Sequence, residues 1–250
     1  MNSATAATRP VAPSWYRARV VATRPETTRA TRLLLDVPGW PQHRPGQHLD
    51  ARLTAADGYT AQRAYSIASA PDARGIELVV DLLDDGEVSP WLAREARVGD
   101  ELEVRGPIGG HFVWDADDPR PLQLVAGGSG VVPELGMLAQ RRLRKVTTPA
   151  RLLLSARTEA DVIGAHELAR PQPGLTVTTT LTRSAPRGWS GLTGRVDTHL
   201  LRQWAIPADA SPLVLVCGPT AFVEVVADAL LDLGHDPALV RTERFGATGT

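Results

Sequence analysis

Three short segments carry residues able to do chemistry. Gly127-Gly128-Ser129-Gly130 leaves the apolar run Leu122–Ala126 and enters a helical pattern at about Val132. Glycines let a backbone turn sharply and approach a ligand closely. The first amides of the following helix carry partial positive charge and no partner, which suits a pyrophosphate. Pro133 sits where its missing N–H costs nothing, and it takes the place of the last glycine in a Gly-x-Gly-x-x-Gly fingerprint. A tight strand–helix turn without a ligand would use the same glycines, so the loop alone leaves both readings open. Cys217-Gly218-Pro219 ends a second apolar strand, Leu213–Val216. No base stands beside Cys217, so a nucleophilic thiol is not expected, and buried packing is the plain role of a lone cysteine there. Arg63, Tyr65 and Ser66 lie on an alternating strand, with Arg63 and Tyr65 on one face and Ser66 on the other. An ordinary strand would give this alternation too.

The elements that must hold these residues fall into two halves. From Trp15 to about Trp114 the chain reads as short strands at 17–22, 32–37, 48–54, 62–68, 76–82 and 101–105. Turn clusters such as Pro38-Gly39, Asp57-Gly58 and Asp84-Asp85-Gly86 separate them, a pattern that predicts an antiparallel barrel. One helix interrupts it, with Ser89 as N-cap and Pro90 in the first turn. After Asp115-Ala116-Asp117-Asp118-Pro119 strands alternate with helices. Strands at 122–126, 151–155, 175–181 and 213–217 imply a parallel, doubly wound sheet. One helix presents Val132, Leu135, Ala139, Leu143 and Val146, another Phe222, Val226, Leu230 and Leu233, with Gly234 at its C-cap. The expected organisation is a flexible tail at 1–13, a first domain at 14–117 and a second at 118–250.

Taken in this order, the Arg63-Ala64-Tyr65-Ser66 strand, the Gly127–Pro133 loop and Cys217-Gly218-Pro219 resemble the ferredoxin–NADP⁺ reductase superfamily. The resemblance covers about Trp15 to Gly246 and implies an antiparallel FAD-binding barrel followed by a Rossmann-like NAD(P)-binding domain. By resemblance, Arg63 holds the FAD pyrophosphate, Tyr65 packs on the isoalloxazine ring and Ser66 hydrogen-bonds near N5. Gly86, Val88 and Ser89 form a second phosphate segment. Gly128, Ser129 and Gly130 cradle the nicotinamide dinucleotide, and Cys217, Gly218 and Pro219 line the nicotinamide C4 position. Phe245 is the aromatic residue over the other flavin face, although five residues follow it. Glu243 either assists proton handling or pairs with Arg241, and the pairing is the preferred reading. Gly106–Gly110 and Pro45-Gly46-Gln47 match loops of structural role. Ser155 and Arg157 follow the second strand of the nucleotide half, where the ribose is read. A hydroxyl and a guanidinium suit a 2′-phosphate, so the cofactor reading leans to NADPH over NADH. Glu159 and Asp161 are close by, Arg183 and Arg187 offer further cations, and a solvated Arg157 is the alternative.

Composition narrows the function. The chain has 250 residues, 43% hydrophobic and 22% charged, with a net charge of −1, so it has no overall bias toward nucleic acid or an anionic membrane. No apolar run is long enough to span a bilayer, and a cytoplasmic setting is expected. One cysteine cannot supply the four thiolates of an iron–sulfur cluster, so a metal centre that receives electrons is expected on another protein. The six histidines show no metal spacing and read as surface or packing residues. Arg141, Arg142, Arg144 and Lys145 end a helix, where cations complement its dipole, or form a docking patch for an acidic carrier. The expected function is a flavoprotein that passes hydride from NAD(P)H to bound FAD and then electrons to a separate ferredoxin, flavodoxin or oxygenase component. A flavin reductase with flavin as substrate and a non-catalytic nucleotide-sensing subunit are the alternatives.

Overall fold

The computed structural model describes residues 13–71 and 73–246, so the expected tail at 1–13 lies almost wholly outside the described residues. The first half is a six-stranded antiparallel sheet. Its strands are β1 (Ser14–Pro25), β2 (Ala30–Asp36), β3 (His48–Thr54), β4 (Thr60–Ser66), β5 (Ile76–Asp81) and β6 (Glu101–Ile108). They lie in the order β4-β3-β6-β1-β2-β5. A bridge between Ile67, just past β4, and Leu78 of β5 joins the two edges, so the sheet curls toward a barrel. Alternation along the strands points Ala18, Val20, Leu33, Leu35, Leu49, Ala51, Leu102 and Val104 into one core. A short helical turn, Trp91–Glu95, closes one end with Leu92.

The second half is a six-stranded parallel sheet. It comprises β7 (Leu122–Gly127), β8 (Ala150–Ala156), β9 (Leu175–Leu181), β10 (Leu192–Thr193), β11 (Leu213–Pro219) and β12 (Val240–Phe245), in the order β10-β9-β8-β7-β11-β12. Four helices connect them: α1 (Val131–Leu143), α2 (Ala165–Leu168), α3 (Thr198–Trp204) and α4 (Thr220–Asp232). Alternate residues of the central strands face opposite layers. Leu124, Ala126, Leu152, Leu154 and Leu215 pack with α1 and with Phe112 and Trp114 from the end of the first half. Val125, Leu153, Val214 and Val216 pack with Leu201 of α3 and Val223, Val226 and Leu230 of α4. The chain runs outward from β7 to β10, then returns to place β11 on the other side of β7. That switch point opens a crevice at the carboxyl ends of β7 and β11, where ligands of such sheets bind.

Several sequence readings are corrected by tertiary packing. Ser89 does not cap the helical turn. Its buried hydroxyl accepts from the Leu83 amide at 3.1 Å and donates to the Leu83 carbonyl at 3.3 Å, closing the loop before the turn. Helix α1 stops at Leu143, which is exposed, because Lys145 adopts a left-handed conformation (φ 54°) and ends the helix before Val146. Arg141 does not belong to a basic cluster. It is 1% exposed and donates to the carbonyls of Val146, Thr148 and Pro173, which ties the α1–β8 connection together. Arg142 donates to the Glu167 carbonyl and Arg144 to Asp117, so of the four cations Arg141 is withdrawn into the fold while Arg144 and Lys145 stay exposed.

Candidate active site

Strand register brings the chemistry-bearing residues together. In the β3–β4 ladder, His48 lies opposite Ser66, Leu49 opposite Tyr65 and Ala51 opposite Arg63. In the β11–β12 ladder, Cys217 lies opposite Glu243 and Pro219 opposite Phe245. Across the seam between the halves, His48 Nδ1 stands 3.6 Å from Glu243 Oε1. The strand pair that carries Ser66 therefore meets the strand pair that carries Cys217. Arg241 and Glu243 do not pair as expected. Arg241 instead donates to the Val113 carbonyl at 2.9 Å, which holds β12 against the end of the first half.

Burial sets the electrostatics of the seam. Glu243 has one buried carboxylate oxygen with no hydrogen-bond partner, and burial pushes its pKa up to about 7. Burial also lowers His48, opposed by the charge of Asp50. The Cys217 thiol is 2% exposed. Burial raises it well above its ordinary value, with further pushes from Glu243 and Glu134, so the sulfur stays protonated. Tyr65 is raised by burial and held back by Arg63, so its phenol keeps its proton. We expect hydride transfer to vary with pH around neutrality and Glu243→Gln to remove that dependence. Stopped-flow flavin bleaching across that range is the check.

The phosphate-type residues sit on either side of the seam. Arg63 is exposed, donates to the Gln62 carbonyl at 2.7 Å and lies 3.9 Å from Glu87 of the Gly86–Ser89 segment. Tyr59 also bonds Glu87, at 2.6 Å. Arg63 and the Gly86–Ser89 segment thus face one another, although the buried Ser89 hydroxyl is already engaged. In the parallel sheet, Gly127 is in register with Ser155. A Cβ on Gly130 would stand 2.2 Å from the Cys217 carbonyl oxygen, so α1 starts directly on the end of β11. Gly127 and Gly218 are both seated on the Phe222 ring, with no room for a Cβ. Gly128 turns with φ 56° in open space. Arg157 is exposed and makes no salt bridge among the described residues. Phe245 ends β12 at 38% exposure, free to cover a planar ligand. A cavity of about 610 Å³ is lined by Tyr59, Ala61, Glu87 and Trp91 and contains neither Ser66 nor Cys217. The donor set of Arg63 and the glycine-loop amides, with a buried carboxyl at the seam that keeps one unpartnered oxygen, fits a flavin dinucleotide and a nicotinamide dinucleotide.

Two functional-site neighbours are invisible to motif reading. His48 follows Pro45-Gly46-Gln47 and carries no motif of its own. Counting back from the Asp57-Gly58 turn would have placed it opposite Ser66, since Thr54 pairs with Thr60 and the register then runs unbroken. Glu134, in the first turn of α1, is fully buried with neither carboxylate oxygen hydrogen-bonded. Burial raises its pKa well above the ordinary value, only partly opposed by the Val125 backbone. A single acid in the first turn of a helix gave no signal of this.

Comparison with known proteins agrees with this geometry. Residues 25–114 match the family model of the oxidoreductase FAD-binding domain, and residues 124–228 that of the oxidoreductase NAD-binding domain. Ferredoxin–NADP reductase B of Sorangium cellulosum is 36% identical over 197 residues, which are 75% of this chain and 80% of that protein. The chain belongs to the ferredoxin–NADP reductase-like family of FAD- and NAD(P)-binding oxidoreductases. The glycine betaine monooxygenase reductase subunit of Chromohalobacter salexigens is 31% identical over 211 residues, 82% of this chain, and the chain spans 56% of that relative's length. The flavohem-like FAD/NAD-binding domain of the Vibrio cholerae nitric oxide dioxygenase shares the fold, with a TM-score of 0.84 at 23% identity over 93% of this chain and 99% of that one. Among the described residues no helix is long and apolar enough to cross a membrane.

Proposed function

We propose that this chain transfers hydride from NADPH to bound FAD and then delivers electrons to a separate acceptor protein, an oxygenase component or an iron–sulfur carrier. The His48–Glu243 contact carries the reading, because it joins the Ser66 strand pair to the Cys217 strand pair. Bound FAD supplies the ability to accept two electrons at once and to release them singly. The chain's own residues bind, orient and hold protons. Arg63 and the Gly86–Ser89 segment, through the Val88 and Ser89 amides, would take the flavin pyrophosphate, while the Gly86 amide donates to the Leu83 carbonyl at 3.0 Å. Tyr65 and Phe245 would hold the ring between them, and the Ser66 hydroxyl would supply a hydrogen bond near N5. Gly128, Ser129, Gly130, Gly218 and Pro219 shape the nicotinamide side, where the protonated Cys217 thiol lines the C4 position. Alignment of reacting atoms, more than any group chemistry, is what this framework contributes.

The same register supports NADPH. Ser155 stands beside the glycine loop, and Arg157 follows with no salt bridge of its own. Of the two nearby acids that would favour a free 2′-hydroxyl, Asp161 is locked into a capping box, where it accepts from the Thr158 amide at 3.0 Å and the Thr158 hydroxyl at 2.7 Å, while Glu159 is exposed. Relatives that serve as reductase subunits of oxygenases support an external acceptor. Anaerobic titration with each donor tests the reading: NADPH bleaches the bound flavin at lower concentration than NADH. We expect Arg157→Ala to lower kcat/KM for NADPH by about 10- to 100-fold, the value of a charged hydrogen bond, and to leave NADH nearly unchanged. Equal losses with both donors would remove Arg157 from the 2′-phosphate site.

A further inference from the structure

A second set of charged side chains crosses between the two halves. Glu26, in the β1–β2 turn, takes a two-pronged contact from Arg32 of β2, with Nε at 2.9 Å and Nη2 at 3.1 Å. The same carboxylate accepts the Gly164 amide of the second half at 2.8 Å. Arg32 Nη1 donates to Glu77 of β5 at 2.8 Å, and its Nη2 lies 3.4 Å from Glu167 of α2. Arg24 donates to that Glu167 oxygen at 3.1 Å, and Arg142 of α1 donates to the Glu167 carbonyl. The Arg32 and Glu26 side chains are each 5% exposed. Burial pulls the Glu26 carboxyl up, but Arg32, the Gly164 amide and Arg24 together carry it below its ordinary value. A buried ion that loses a partner is costly, so the Glu167–Arg32 and Gly164–Glu26 contacts favour the placement of the halves that keeps them, although Glu167 Oε2 itself has no hydrogen-bond partner.

This cluster is wired to the active site on both sides. The Glu77 amide donates to the Ser69 hydroxyl, and the Ala68 amide to the Glu77 carbonyl, in the stretch that directly follows Ser66. On the other side, a Cβ on Gly136 of α1 would meet the Ile67 carbonyl at 2.8 Å, and a Cβ on Gly164 would meet Leu135 at 2.6 Å. Helix α1 is the helix whose first residues rest on Cys217. Apolar packing borders the charged set, because Ala30, Ala68 and Val79 of the first half share a buried cluster with Leu135 and Leu138 of α1. A cleft of about 210 Å³ remains there, lined by Arg32, Ser69, Glu77, Leu135, Arg142 and Glu167.

We propose that Arg32 is a positioning residue for hydride transfer: held at once by Glu26, Glu77 and Glu167, it sets the orientation of the nucleotide-binding sheet against the flavin barrel. This rests on the NAD(P)H-to-FAD reading above. The test uses Glu167→Ala, which removes the second half's carboxylate from Arg32 and leaves the Glu26 and Glu77 pairs inside the barrel intact. It avoids the stranded buried carboxylates that a change at Arg32 would leave. In the cofactor-free chain, amide hydrogen exchange is expected to quicken in residues 67–70 and 162–168 while β1 and β7 stay protected. In the FAD-loaded protein, the limiting rate of flavin bleaching is expected to fall about tenfold or more, with the half-saturating NADPH concentration unchanged. Unchanged exchange in those two segments overturns the proposal. So does an unchanged limiting rate, or a parallel loss of rate, affinity and protection in β1 and β7, which marks a merely structural role. If the wild-type flavin is not bleached by either donor, the hydride reading fails, and the exchange experiment still decides whether the cluster holds the halves together.

Discussion

Gly130→Ala is expected to cut NADPH-driven flavin bleaching by about a hundredfold or more while FAD binding survives. The added methyl would lie 2.2 Å from the Cys217 carbonyl oxygen, 2.5 Å from its carbon and 2.8 Å from the Gly218 amide nitrogen. These are backbone atoms of a strand buried between β7 and β12, so no side-chain rotation relieves the clash. Either α1 lifts from β11 or the end of β11 moves. Both displace the glycine loop relative to Cys217, and a shift of about 1 Å at reacting atoms is enough to cost two orders of magnitude. The FAD barrel folds around its own core, so bound flavin absorbance serves as the internal control. A variant with wild-type bleaching would show that the loop and Cys217 do not share one site.

Glu134→Leu is expected to raise the melting temperature, and by more at alkaline pH than at acidic pH. Its fully buried carboxyl has no hydrogen-bond partner, a condition that costs about 1–3 kcal/mol even for a neutral polar group. Burial raises its folded pKa well above 4.5, its value in the unfolded chain. Above pH 4.5 the unfolded chain therefore releases a proton that the folded chain keeps, and stability falls as pH rises toward the folded pKa. Glu243 adds the same slope between 4.5 and about 7. Leucine removes the Glu134 share, so the gain over wild type widens with pH. For a chain of this size each 1 kcal/mol is roughly 2–4 °C. Thermal melts at acidic and alkaline pH measure the effect. A gain that shrinks as pH rises would mean that Glu134 is ionised in the fold.

Much of the fold was legible because it is local. The change from period-two strands to alternating strands and helices, the glycine loop entering α1 and Gly234 closing α4 each follow from neighbours a few residues apart. The motif residues of the nucleotide half were legible as neighbours, since Gly127, Ser155 and Cys217 lie near the carboxyl ends of three adjacent parallel strands. What escaped depends on long-range partners. Ser89 looked like an N-cap until Leu83 took its hydroxyl. Arg141 looked solvated until the β8 and β9 connections closed over it. His48 and Glu243 lie 195 positions apart, on β3 and β12, and only the docking of one sheet on the other pairs them. The Arg32 cluster draws on β1, β2, β5 and α2, and no spacing in the chain announces it.

The central claim is that NADPH hydride crosses directly to bound flavin at the seam marked by Ser66, Cys217, His48 and Glu243. The most direct test is anaerobic stopped-flow bleaching of the FAD-loaded protein with NADPH deuterated on one or the other face of nicotinamide C4. The account predicts rapid bleaching that is slowed by deuterium on one face only, with the label retained in the reduced flavin before exchange. Bound flavin that is not bleached by NADPH, or bleaching insensitive to deuterium on either face at saturating donor, would contradict it.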